Sequence, residues 1–252
     1  MSRIIDNPFA VFFVALIAQW GAAYIGDYFR GKSRRLKQDE QADFDTVLTA
    51  TLTLLALIIG FSFSMAVSRY DQRKNAEESE ANAIGTEYLR ADLLPIDDAA
   101  KVRDLLRAYV NQRILFYLGD NHRITDSSAD STKLQTDLWS SVARVAAAQP
   151  TPVVALVASG MNDVISSQGS TQAAWLNRIP IAAWSLMGLI AICSNLLLGY
   201  RERSTGKLTL LVLPAILSVA FFLIADIDSP RGGIINVAPH NLVATAQSMK
   251  AN

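Results

Sequence analysis

One cysteine, two histidines and no excess of charge of either sign remove several functions at the outset. A lone Cys193 cannot close an internal disulfide. His122 and His240 stand in separate polar segments, with no second His or Cys near either, so no metal site is expected. Lys and Arg match Asp and Glu at 23 each, which argues against a nucleic-acid partner. Neither GxxxxGK[ST] nor GxSxG occurs, and no other catalytic constellation is visible, so neither an enzyme nor a bound cofactor is expected. No segment keeps a strand period for long, and no internal repeat is present.

Charge is also missing locally. Pro8 to Ile25, Thr46 to Val67, Pro180 to Leu198 and Leu208 to Ala225 contain no Asp, Glu, Lys or Arg. Each is long enough for a tilted helix to cross about 30 Å of hydrocarbon. The first is followed by the basic run "FRGKSRR" and reads as a retained span rather than a cleaved signal. The expectation is an all-helical integral membrane protein with four transmembrane helices. Residues 1–67 form a hairpin of spans one and two, and 180–226 a hairpin of spans three and four. Residues 68–179 form a helical extramembrane layer continuous with spans two and three, and 227–252 a C-terminal tail.

Within the layer, "DDAAKVRDLLRAYVNQRILFYLG" places Val102, Leu105, Leu106, Tyr109 and Val110 at helical spacing, with Asp97 or Asp98 to cap the start and Gly119 to end it. "STKLQTDLWSSVARVAAAQP" repeats the theme with Leu134, Leu138, Val142 and Val145. "TPVVALVASGMNDVISSQG" is a third helix, and "GDNHRITDSSADS" reads as a polar loop. Asn162 and Asp163 interrupt an apolar helix and are expected to cap or bond across the layer rather than line a vestibule. Glu77, Glu78, Glu80 and Glu87 read as a solvated face or as partners of nearby Arg and Lys.

Span two has no helix breaker where it leaves the bilayer. Between Leu54 and Arg90 there is no Pro, and the only glycines are Gly60 and Gly85. On a wheel of 100° per residue, Leu57, Ser64, Ser68, Gln72, Asn75, Ser79, Asn82 and Thr86 lie within about 60° of Phe61. This face is apolar at membrane depth and small, polar and uncharged beyond it. It supports two readings. One is helix–helix packing through small polar side chains. The other is a water-filled path with Leu57 and Phe61 as its hydrophobic constriction. The corresponding functions are an ion channel built as a ring-like homo-oligomer, or a non-conducting membrane scaffold or sensor whose extramembrane helices bind a partner.

"IIGFSFSMAVSRYDQRKN" resembles the second span of the bestrophin anion channels in Gly60, Phe61, Arg69, Tyr70 and Gln72. "EANAIGTEYLRADLLP", the "MND" at 161–163 and the Asp-x-Asp-x-Pro element in "DIDSPRGGIINVAPHNL" resemble a bacterial bestrophin-like family over Asp45 to Leu242. The resemblance implies a pentamer in the bacterial inner membrane that conducts inorganic anions. It matches Phe61 to the innermost aromatic of the channel neck, with Leu57 and Thr53 one and two turns away. Read from its own residues, the turn that carries Asp226, Asp228 and Arg231 at the end of the last span either anchors the C-terminal tail to the stalk or forms a lower constriction or latch. Animal bestrophins hold calcium through acidic residues after span four. Here nothing acidic follows Asp228, and two carboxylates are too few for a calcium site, so none is expected. Orientation stays open. The loops after spans one and three carry the denser basic charge, which puts them in the cytoplasm, whereas the resemblance puts the extramembrane layer there.

Overall fold

The computed structural model describes residues 7–32, 38–119, 124–201 and 209–251, all helix, turn or irregular chain with no strand among them. Among the described residues eight α-helices follow in order: α1 Pro8–Lys32, α2 Gln38–Arg90, α3 Ile96–Leu118, α4 Ile124–Ala148, α5 Pro152–Leu176, α6 Ile181–Arg201, α7 Thr209–Asp228 and α8 His240–Ala251. A 3-10 turn, Ala91–Leu93, joins α2 to α3. Four apolar segments, carried by α1, α2, α6 and α7, are long and apolar enough to cross a membrane. The chain is an all-helical integral membrane protein. His122 and much of the two expected basic loops (Arg34, Arg35, Lys37, Arg203 and Lys207) lie outside the described residues.

The chain divides into two compact units. One comprises Met1–Tyr70 and Arg178–Asn236, the other Asp71–Asn177 and Val237–Asn252. Helix α2 is unbroken for 53 residues, about 80 Å at 1.5 Å per residue, and contributes to both.

In the first unit, α1 packs against α6 and α7 around Val11, Leu55, Met187, Ala191, Ile224 and Ala225. The crossing of α1 and α6 is close enough to require glycine on both sides. A Cβ at Gly199 would overlap the Ala23 carbonyl oxygen, and one at Gly26 the Leu196 carbonyl oxygen. Small residues permit such backbone approach, and a polar pair adds to it. Asn195 Nδ2 donates to Gln19 Oε1 at 3.2 Å and to the Ala191 carbonyl at 2.8 Å. Arg201 grips Asp45 with two nitrogens, Nη2 lying 3.0 Å from Oδ2, and so ties α6 to the start of α2. Phe13, Ile17, Tyr24, Leu189 and Ile216 remain exposed on the single chain, as lipid or a neighbouring subunit would require. The apolar window of α2 is the least covered of the four, with 17% of it buried against 50% for α7.

In the second unit, α2, α3, α4, α5 and α8 enclose a core that includes Ile84, Leu106, Tyr109, Leu138, Met161 and Leu242. The helical spacing expected of α3 and α4 holds: Val102, Leu106, Tyr109 and Val110 are buried, as are Leu138, Val142 and Val145. Three local expectations are corrected. Pro95, not Asp97 or Asp98, occupies the N-cap of α3, and both aspartates lie in the first turn, where they complement the helix dipole. The expected polar loop is helical from Ile124, because Asp and Ser are as much first-turn residues as loop residues. The layer runs into span two as continuous helix but reaches span three across a break at 177–180, where Pro180 cannot donate and disfavours helix before it. Helix α5 opens as its sequence suggests: Thr151 Oγ1 accepts from Val154 N at 3.3 Å, with Pro152 in the first turn.

Candidate functional site

Helix α2 has two faces of different character. Every candidate on its first face is exposed on the single chain: Thr53, Leu57, Phe61, Ser64, Ser68, Gln72, Asn75, Ser79, Asn82 and Thr86. Leu57 is 53% and Phe61 64% exposed, high values for large apolar side chains in the middle of a span. The other face is buried, with Leu55, Ser62 and Ala66 inside the first unit and Arg73, Glu77, Glu80, Ile84 and Glu87 inside the second. Both series recur at the 3.6-residue period, so one continuous helix fixes which residues stay outside.

The threonines at the start of the face are made tolerable in an apolar setting by bonding to their own helix. Thr53 Oγ1 donates to the Thr49 carbonyl at 2.8 Å and Thr51 Oγ1 to the Leu48 carbonyl at 2.9 Å. Thr53 therefore presents a methyl group and an acceptor rather than a free donor. Thr49, Thr53, Leu54 and Leu57 line a shallow open groove along the helix, with Asp45 among its walls.

The buried face holds what the sequence reading missed. Of Glu77, Glu78, Glu80 and Glu87, which the sequence offers as a solvated face or as partners of Arg and Lys, only Glu78 is exposed; the other three are buried, Glu80 beside Arg113 and Glu87 beside Arg90. Each is compensated differently. Glu77 caps α8, accepting from Leu242 N at 2.9 Å and Asn241 Nδ2 at 2.7 Å. Glu80 accepts from Arg113 Nε, from Arg113 Nη2 at 3.3 Å and from Thr171 Oγ1 at 3.0 Å. The Arg113 guanidinium also stacks 4.4 Å from the Phe116 ring centroid. Tyr109, whose hydroxyl accepts from Gln135 at 3.1 Å, has its pKa pushed up by burial and by the Glu80 charge. Glu87 has no hydrogen-bond donor, and burial pushes its pKa up to about 8, against the pull of Arg90. A usable signal existed. Residues 77, 80, 84 and 87 share one face, and Arg113 falls on the apolar period of α3 with 102, 106 and 109.

The far end of α8 is held as well. Its Met249 carbonyl accepts from Arg107 Nε at 3.0 Å and from the Tyr88 hydroxyl at 3.2 Å. Asn162 and Asp163, expected to cap or bond across the layer, are exposed. The apolar stripe of α5 runs through 157, 161 and 164, which turns 162 and 163 outward, and Asp163 stands 4.0 Å from Arg90.

After span four, Asp226 and Asp228 are both buried. Asp226 accepts from Ile234 N at 2.6 Å and Ile235 N at 3.0 Å, and a Cβ at Gly233 would collide with its carboxylate. Asp228 accepts from Ile179 N at 3.2 Å and Arg178 Nε at 3.2 Å. Ser229 Oγ accepts from Gly232 N at 2.9 Å, and Arg231 lies half-buried in the same turn. The two carboxylates are engaged in holding backbone. Among the described residues no three His, Cys, Asp or Glu side chains gather as a metal site would need.

A bestrophin-like domain model matches residues 12–242. No protein of curated function matches the sequence. The fold is similar to solved structures of a bacterial bestrophin homologue from Klebsiella pneumoniae. One single-substitution variant has a TM-score of 0.67 at 14% identity, covering 95% of this chain and 94% of that one. The structure phased from zinc has a TM-score of 0.63 at 15% identity, with 95% and 94% covered. At such identity the structural likeness carries the fold alone, whereas the domain match spans nearly the whole chain. The chain belongs to the bestrophin-like family.

Proposed function

We propose that the chain is one subunit of a homo-oligomeric ion channel, a pentamer in the bacterial inner membrane, in which the exposed face of α2 lines the axis. The observation that carries this reading is the continuity of that face. It stays outside from Thr53 to Thr86 while the opposite side of the same helix is buried. Family membership supports conduction, and the resemblance to bestrophins makes inorganic anions the proposed permeant class.

No covalent chemistry is required. A ring of Phe61 and Leu57 side chains would form an apolar neck with Thr53, and a narrow apolar ring excludes water and so blocks ions. Beyond it, Ser64, Ser68, Gln72, Asn75, Ser79, Asn82 and Thr86 would replace part of an ion's hydration without binding it tightly, since the stripe has no formal charge. Asp226, Asp228 and Arg231 would act as a structural latch below the last span.

Purified protein in a planar bilayer tests the proposal. Under a chloride gradient the current should reverse near the chloride equilibrium potential, and Phe61→Ala should raise conductance several-fold by widening the neck. Silent membranes, or an unaltered current in Phe61→Ala, would remove the channel or its neck respectively. A monomeric or dimeric particle in detergent would favour the non-conducting scaffold or sensor.

A further inference from the structure

Glu87 differs from the other two buried acids of α2. Glu77 and Glu80 accept hydrogen bonds from α8 and from Arg113 and Thr171. Neither oxygen of Glu87 accepts one, and its side chain is fully buried. The carboxyl rests in a notch on α5 at Gly160, where a Cβ would run into Glu87 Oε2 and Arg90 Nη1. Two charged groups face it. Arg90, on its own helix, holds Nη1 3.9 Å from Oε2, beyond hydrogen-bond reach. Asp163, from α5, stands 4.0 Å from the same Nη1 and shares its charge. A buried carboxylate without a donor is costly, whereas a neutral carboxyl in the same place is far less so.

We propose that Glu87 is a proton-operated latch of the helical layer: the protonated carboxyl lies in the Gly160 notch and closes α2 against α5, and ionisation draws it out towards Arg90 and loosens that pairing. The latch stands on the packing of the layer. Any effect on conduction rests on the channel reading, since adjacent Thr86 belongs to the proposed lining.

The folded state keeps this proton to higher pH than the unfolded chain, with the pKa raised from 4.5 to about 8. The stabilisation is therefore complete below 4.5, declines across the interval and is lost as pH rises through about 8. Thermal unfolding of the full-length protein in lipid nanodiscs, from about pH 6 to about pH 9, reads this directly. The wild type should lose stability over that range. Glu87→Gln, which keeps the neutral shape, should lose much less and should outlast the wild type at the alkaline end. Asp163→Asn, a surface change, should move the wild-type transition to lower pH, and Arg90→Gln should move it higher. Hydrogen exchange in α5 around Gly160 should accelerate above the transition in the wild type and not in Glu87→Gln. Parallel pH profiles for wild type and Glu87→Gln would overturn the latch. Bilayer currents recorded on the same proteins separate the two ideas: a pH-dependent layer in a protein that never conducts keeps the latch and discards the channel.

Discussion

Arg113 and Glu80 close on each other inside the helical layer with neither side chain reaching solvent, Nη2 lying 3.3 Å from Oε2 beside a second bond from Nε. The pair joins the buried side of α2 to α3, and Thr171 extends the connection to α5. Three helices are thereby positioned by one carboxylate.

Taking one ion out of such a pair strands the other. Arg113→Met should destabilise the folded protein by about 3–5 kcal/mol, because an uncompensated carboxylate is left in a dry site. Adding Glu80→Leu should recover much of that loss. Unfolding temperatures of detergent-solubilised protein measure both. A single substitution as stable as the wild type would show that water reaches the pair.

The α1–α6 crossing gives a second expectation. Gly199→Val places its Cβ against the Ala23 carbonyl, backbone that cannot yield without separating the helices. Overpacking of this kind costs about 1–3 kcal/mol or more. Lower yield and a lower unfolding temperature should follow, whereas Gly188→Ala on the same helix, where a Cβ meets nothing within 4 Å, should be neutral. Equal behaviour of the two variants would contradict the close crossing.

Asp226 provides the third. Asp226→Ala removes the acceptor of two backbone N–H groups, at about 1.5–3 kcal/mol for each bond to a charged group before water substitutes. Amide exchange at Ile234 and Ile235 should quicken sharply in this variant. Protection unchanged at both positions would dismiss the carboxylate as their anchor.

The fold was largely legible because membrane spans and long helices announce themselves by length and period. The exposed face of α2 can be drawn from a wheel, since nine positions from Leu57 to Thr86 keep one phase. What lies behind it shows in the sequence only as a phase shared by residues 77, 80, 84 and 87, not as a pairing. A carboxylate on a polar helix looks the same in sequence whether it faces water or a buried Arg113, and the partner is 33 residues away. The polar stretch that opens α4 is ambiguous for a related reason: Ser and Asp serve loops and first turns alike. Asp163 turns outward because Val157, Met161 and Val164 set the buried phase of its helix, which composition alone does not reveal.

The central proposal is that the exposed face of α2 borders a water-filled axis, and cysteine modification during current recording tests it most directly. In a Cys193→Ser background, a charged water-soluble thiol reagent should suppress current through Ser64→Cys, Ser68→Cys and Asn75→Cys channels. It should leave Phe63→Cys and Val67→Cys untouched, since these are exposed on other faces of the same helix. Insensitivity along the whole stripe, or equal suppression at Phe63 and Val67, would contradict a conduit lined by this face.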